Sequence, residues 1–179
     1  MYKIKKKLIF KNQVYKVFSN HIKSKTIDIK NYLSLEVKGK NYGGVCCILV
    51  YKDMIGLMKV FSPIVKKKFY SLPQGFTNFN EDIKTAIKRE VLEETGIKIN
   101  AKHMVKICEF YPMQSLIKSK LAVFYSKLSI KPPFSGSQIL DEIGVGKLFF
   151  FKIDNLKKML RKSNKFDLIT FCSLSYFIK

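Results

Sequence analysis

Hydrophobic and polar positions along the chain follow two periods. Residues 8–10, 13–18 and 32–37 are β-branched and aromatic runs parted by polar stretches at 19–25 and 38–41, which predicts three short strands. Residues 43–50 form one unbroken apolar run, as expected of a strand buried on both faces. Further strands are predicted at 55–61, 104–110, 121–128 and 147–153, with 69–74 leading into a loop. Over 81–95 the period changes to that of a helix. Asn80 offers an N-cap, Glu81 and Asp82 place negative charge on the first turn, and Gly96 can take the left-handed C-cap. Two more helices are predicted at about 154–162 and 166–178, the last capped by Asp167. This order predicts an α/β (α+β) sandwich. Residues 1–42 read as a small N-terminal antiparallel β-sheet and 43–179 as the main domain. A sheet of three short strands is marginal alone, so it is expected to pack on the main domain or on a second subunit.

The helix at 81–95 carries the chemistry. At 100° per residue Ile83, Ala86, Ile87, Glu90 and Glu94 share one face, with Glu93 beside it, so an apolar stripe turns into carboxylates halfway along. Like charges three and four residues apart repel. Most such clusters are solvated surface. A hard divalent cation with oxygen ligands would remove the repulsion, and an i, i+4 carboxylate pair suits Mg²⁺.

Composition sharpens this picture. The 179 residues include 34 basic and only 13 acidic side chains, for a net charge of +21, yet Glu81, Asp82, Glu90, Glu93 and Glu94 all fall in one segment. The positive field would attract polyanions, nucleotides or RNA among them. The lysines are scattered, however, and Lys, Ile and Asn are abundant together, which points to compositional bias before a shaped nucleic-acid surface. Cys46, Cys47, Cys108 and Cys172 lack C-x-x-C spacing and read as buried free thiols of a reducing compartment. His21 and His103 are isolated. No apolar run approaches the length of a membrane span or forms a signal-peptide core, so a soluble, cytoplasmic protein with no membrane partner is expected.

The spacing G-x5-E-x7-R-E-U-x-E-E-x-G-U, with U aliphatic, is met at every fixed position by Gly75, Glu81, Arg89, Glu90, Val91, Glu93, Glu94, Gly96 and Ile97. That is the Nudix box, and the chain resembles the Nudix hydrolases. The resemblance implies their α/β/α fold. It extends to the ADP-ribose and nucleotide-sugar pyrophosphatase branch through the N-terminal strands, Leu72-Pro73-Gln74-Gly75, and Pro112 fifteen positions after Ile97. Asp141-Glu142 and Asp167 with Thr170 complete the likeness. Ser62 and Ser71 stand where that branch usually has Arg and Glu. Pro73-Gln74-Gly75 is also similar to the RNA 5′-pyrophosphohydrolases, although Phe76 replaces their second glycine.

What the resemblance implies is hydrolysis of a small nucleoside diphosphate derivative with Mg²⁺, or Mn²⁺, as cofactor. Glu90 and Glu94 would hold the metal, joined by the Gln74 carbonyl and Glu81, with Glu93 assisting catalysis. Arg89 would pair with a box carboxylate, Glu81 being the candidate, and orient it. A glutamate on a later loop, here Glu142, is the candidate general base, with a box glutamate the alternative. Gly75, Phe76, Pro112 and Lys59 are the expected substrate contacts. Tyr70, Phe76 and Tyr111 could stack a base, but aromatic residues at such positions more often belong to the core. The branch also implies a homodimer built through the N-terminal sheet. RNA 5′-end or dinucleoside polyphosphate hydrolysis, and a catalytically silent nucleotide sensor, are the alternative functions.

Overall fold

The computed structural model describes residues 1–37, 42–129 and 148–178. Strands β1 (Lys3–Lys11), β2 (Tyr15–Lys23) and β3 (Asp28–Val37) form an antiparallel three-stranded sheet in the order β1-β2-β3. β1 and β3 begin before the predicted runs, while β2 starts two residues later than predicted and continues to Lys23, into the polar stretch expected to part the strands. β1 is exposed along its whole length, so its ladder, and not an apolar face, defines it.

The second sheet has the path β10-β5-β4-β9-β8, drawn from β4 (Tyr42–Tyr51), β5 (Met54–Ser62), β8 (Met104–Phe110), β9 (Lys120–Lys127) and β10 (Leu148–Lys152). β6 (Lys67–Ser71) pairs with β5, and β7 (Gln74–Phe76) with β4. β4 lies at the centre, antiparallel to β5 and β7 and parallel to β9.

Because strand side chains alternate, β4 feeds two cores. Cys46, Ile48 and Val50 join Leu121, Val123, Leu156 and Leu174 under α2 (Ile153–Leu160) and α3 (Leu168–Phe177). Val45, Cys47 and Leu49 join Ala122, Phe124, Ala86, Ile87 and Val91 under α1 (Ile83–Thr95). The result is the expected helix, sheet, helix sandwich with an added small sheet. Among the described residues no helix is long and apolar enough to cross a membrane.

The small sheet is fastened to the body through the segment after β8. The Leu35 amide donates to the Leu116 carbonyl at 2.7 Å, and the Lys118 amide to the Leu35 carbonyl at 2.9 Å. Tyr32 Oη also donates to the Ser115 carbonyl.

Candidate active site

α1 begins two residues later than its composition suggests. Asp82, in extended conformation, is the N-cap, and its carboxylate accepts from the Lys84 and Thr85 amides. Asn80 instead takes a left-handed φ of 64° in the preceding turn, a conformation Asn tolerates better than most residues. The helix closes at Gly96, whose φ is 70° and whose amide donates to the Leu92 carbonyl.

With Ala86, Ile87 and Val91 committed to the core, Glu90 is carried to its margin and is only 5% exposed. A carboxylate there needs compensation. Arg89 supplies it. Its Nε and Nη2 grip Glu81 at 3.0 Å each, and Nη1 donates to Glu90 at 2.7 Å and Glu93 at 3.0 Å. Nη2 also donates to the Phe76 carbonyl at 2.9 Å. One planar guanidinium thus joins the loop before the helix, the end of β7 and two helix carboxylates, a task that a lysine's single point charge cannot match.

The Arg89 side chain, aided by the Asn78 amide, holds the Glu81 carboxyl below its ordinary range despite the opposing effect of burial. The hydrogen bonds to Glu81, then Glu90 and Glu93, raise the Arg89 pKa in turn.

β7 supplies the second support. The Gln74 amide donates to Glu94 at 2.8 Å, so it is the Gln74 N–H that touches a box carboxylate. Gly75 lies directly under Glu90: a Cβ there would come well inside 3.0 Å of all three carboxyl atoms. Leu72, which begins this stretch, donates its amide at 2.8 Å to Thr170 Oγ1, and Thr170 in turn donates to Asp167 at 2.7 Å. Thr170 thus anchors the approach to the box.

Beside β7 lies a cavity of about 350 Å³. Gly75, Phe76 and Pro112 line it, together with Tyr15 and Val37 from the small sheet. The Tyr15 and Phe76 rings meet edge to face at 5.6 Å. No local signal in the sequence singles out Tyr15 or Val37, because only the docking of the small sheet brings them there. Lys59 is exposed on β5 and is not among the lining residues. Tyr70 packs against Phe151 and Phe166, as a core aromatic does. Tyr111 is half exposed and is not among the lining residues either, although its neighbour Pro112 is. Asp141 and Glu142 lie outside the described residues.

Among the described residues no three acidic, histidine or cysteine side chains form a ready cation cage. The donors nevertheless fit a hard divalent ion. Glu81, Glu90, Glu93 and Glu94 offer the oxygen atoms that such an ion takes.

A NUDIX domain model matches residues 41–165. The crystal structure of an ADP compounds hydrolase superposes with a TM-score of 0.74 at 12% identity, covering 98% of this chain and 91% of that one. That likeness establishes the fold. No curated protein matches the sequence.

Proposed function

The chain belongs to the Nudix family, a hydrolase of pyrophosphate bonds, and from that premise we propose that it cleaves a nucleoside diphosphate linked to a sugar or another group, releasing a nucleoside monophosphate. One observation carries this reading. Arg89, Gly75 and the Gln74 amide hold Glu81, Glu90, Glu93 and Glu94 together at the side of a cavity with an aromatic wall.

A diphosphate resists hydrolysis because its oxygens repel nucleophiles, so a catalyst must neutralise charge and position a water. Glu90 and Glu94, with the Gln74 carbonyl, would hold Mg²⁺, with Mn²⁺ as a substitute, and Glu81 and Glu93 complete the acidic group. Bound there, the ion supplies charge neutralisation and a lowered pKa for water. The protein's own part is to fix the carboxylates. Arg89 keeps Glu81 ionised and holds Glu90 and Glu93 in place, so no side chain need reorganise as charge develops. Glu142 is proposed as general base. Phe76 and Tyr15 offer aromatic surface to a nucleobase, with Pro112 and Gly75 beside them.

The ADP compounds hydrolase with the same fold favours a nucleoside diphosphate derivative of ADP-ribose or nucleotide-sugar type. Incubation with Mg²⁺ and a panel of ADP-ribose, nucleotide sugars, dinucleoside polyphosphates and 5′-triphosphate RNA tests this. Turnover is expected on the first two, lost with EDTA and in Glu94→Gln; silence across the panel, or full activity in Glu94→Gln, refutes it. Release of pyrophosphate from the RNA alone would favour the second reading, which the net charge of +21 supports. The exposed apolar residues of the small sheet, Leu8, Phe10 and Leu33 among them, support a homodimer. Light scattering showing a monomer at micromolar concentration would remove that part.

A further inference from the structure

Lysines that look scattered along the sequence fall into line on the small sheet. Residues 1–37 carry nine lysines and only two acids, Asp28 and Glu36. Both acids are engaged, Asp28 by His21 at 2.6 Å and Lys23 at 3.4 Å, Glu36 by Lys6 at 2.7 Å and Lys118 at 3.7 Å. Lys3, Lys5 and Lys7 on β1 are exposed and make no ion pair among the described residues.

Strand register sorts the side chains into two faces, since directly opposed residues share a face and successive ones alternate. Ile4, Lys6, Asn20, Tyr32 and Ser34 lie on the face turned toward residues 114–118. The opposite face carries Lys3 across from Lys23, Lys5 from His21, and Lys7 from Ser19. Past a bulge at Ile9 it continues with Phe10 across from Val17, and it ends with Tyr15 across from Val37, the two wall residues of the cavity beside β7. One surface therefore leads from that cavity, past the half-exposed Phe10, to a row of lysines.

Lysines at alternate strand positions stand about 6.5 Å apart. An anion that repeats at a similar interval relieves their repulsion along the whole row, and the phosphates of an extended single-stranded nucleic acid do so. Phe10 adds a ring on which a base can stack. A second copy of this chain laid on the same row would set lysine against lysine, which costs stability. The lysines run in a line away from the cavity and do not ring an apolar centre, which suits a strand better than a membrane surface.

We propose that this face is a track for single-stranded nucleic acid, with phosphates on Lys3, Lys5 and Lys7, a base on Phe10, and one end of the strand at the cavity. Whether a bound strand is also cleaved rests on the proposed function; its binding does not.

Decauridine carrying a fluorescent label is titrated with the full chain and followed by anisotropy from about 50 to 200 mM salt. In Lys3→Gln/Lys5→Gln/Lys7→Gln the affinity should fall at least about tenfold, and the slope of log K against log salt should become shallower by about 2, three phosphates at about 0.7 each. Lys157→Gln/Lys158→Gln/Lys162→Gln removes the same charge from exposed positions on and after α2 and should bind as the wild type does. Lys5→Gln alone, with a slope shallower by about 0.7, decides the matter if the triple variant fails to fold. No wild-type binding, equal losses in the two triple variants, equal affinity for a duplex of the same length, or a loss confined to binding of phosphatidylserine vesicles each overturn the track. With 4-thiouridine at either end of the strand, ultraviolet crosslinks mapped by mass spectrometry should include Tyr15 or Phe76; crosslinks confined to other residues overturn the placement of an end at the cavity. Neither readout uses turnover, so failure here leaves the proposed hydrolysis standing, and silence of the substrate panel leaves the track standing.

Discussion

Replacing Gly75 by alanine adds one methyl group where Glu90 already sits. Ordinary contact begins at 3.4 Å, and the new carbon would meet Glu90 Cδ, Oε1 and Oε2 well inside 3.0 Å, so helix and β7 must part by roughly 1 Å. Glu90 has little room to yield, since it is only 5% exposed and is held to Arg89 at 2.7 Å. β7 is bound in turn by its ladder to β4 and by the Gln74 amide to Glu94. Overpacking of this kind costs about 1–3 kcal/mol, and weakening a charged hydrogen bond adds about 1 kcal/mol more. For a chain of this length a total of about 3 kcal/mol lowers Tm by roughly 6–12 °C. A misplacement of about 1 Å among catalytic groups reduces turnover by about 100-fold. Thermal unfolding followed by circular dichroism, beside steady-state hydrolysis of ADP-ribose with Mg²⁺, reads both effects. Gly56→Ala is the control: its Cβ would meet only side-chain carbons of Leu148 and Phe150, at 3.2 and 3.3 Å, away from the carboxylates. Gly75→Ala with Tm and kcat indistinguishable from that control would refute the idea that Gly75 exists to admit Glu90.

Three other outcomes are expected. Arg89→Lys keeps the charge but loses the fork on Glu81, so urea unfolding should show a loss of about 1–3 kcal/mol, and kcat should fall at least about tenfold; a variant as stable as the wild type would show that charge alone suffices. Thr170→Val keeps the shape but leaves the buried Leu72 amide without its acceptor, which should cost about 1–3 kcal/mol at unchanged m-value. Because Arg89 lowers the folded pKa of Glu81, the stability this pair contributes is complete above the ordinary value of 4.5 and is lost as pH falls through the lower folded value. Wild type and Glu81→Gln should therefore differ in Tm at pH 7 and converge in acid, and a gap that stays constant to pH 3 would remove Glu81 ionisation as its source.

Local pattern revealed those parts of the fold whose cause is local. The apolar run at 43–50 became β4 because burial on both faces requires such a run. Residues 3–7 escaped notice because β1 buries neither face, and lysines along an edge strand carry no hydrophobic period. Asn80 and Asp82 are both sound caps by composition, and only the left-handed turn at Asn80 decides between them. The carboxylates were legible as spacing along one helix. Of Arg89's four contacts, the Glu81 arm was legible from the box and the Glu93 arm is an i, i+4 pair on one helix, whereas the reach to the Phe76 carbonyl depends on how the loop folds back. Tyr15 and Val37 could not be found, because their place at the cavity arises from docking between elements distant in sequence.

That docking ties the appended strands to the chamber they border. Tyr15 and Val37 are wall, and Leu35 is hydrogen-bonded to the segment carrying Ile117, which is wall as well. A shortened chain beginning at Tyr42 would retain every box carboxylate and still present an open trough in place of a chamber. For anyone trimming or recombining this protein, the leading strands are inseparable from the walls of that chamber.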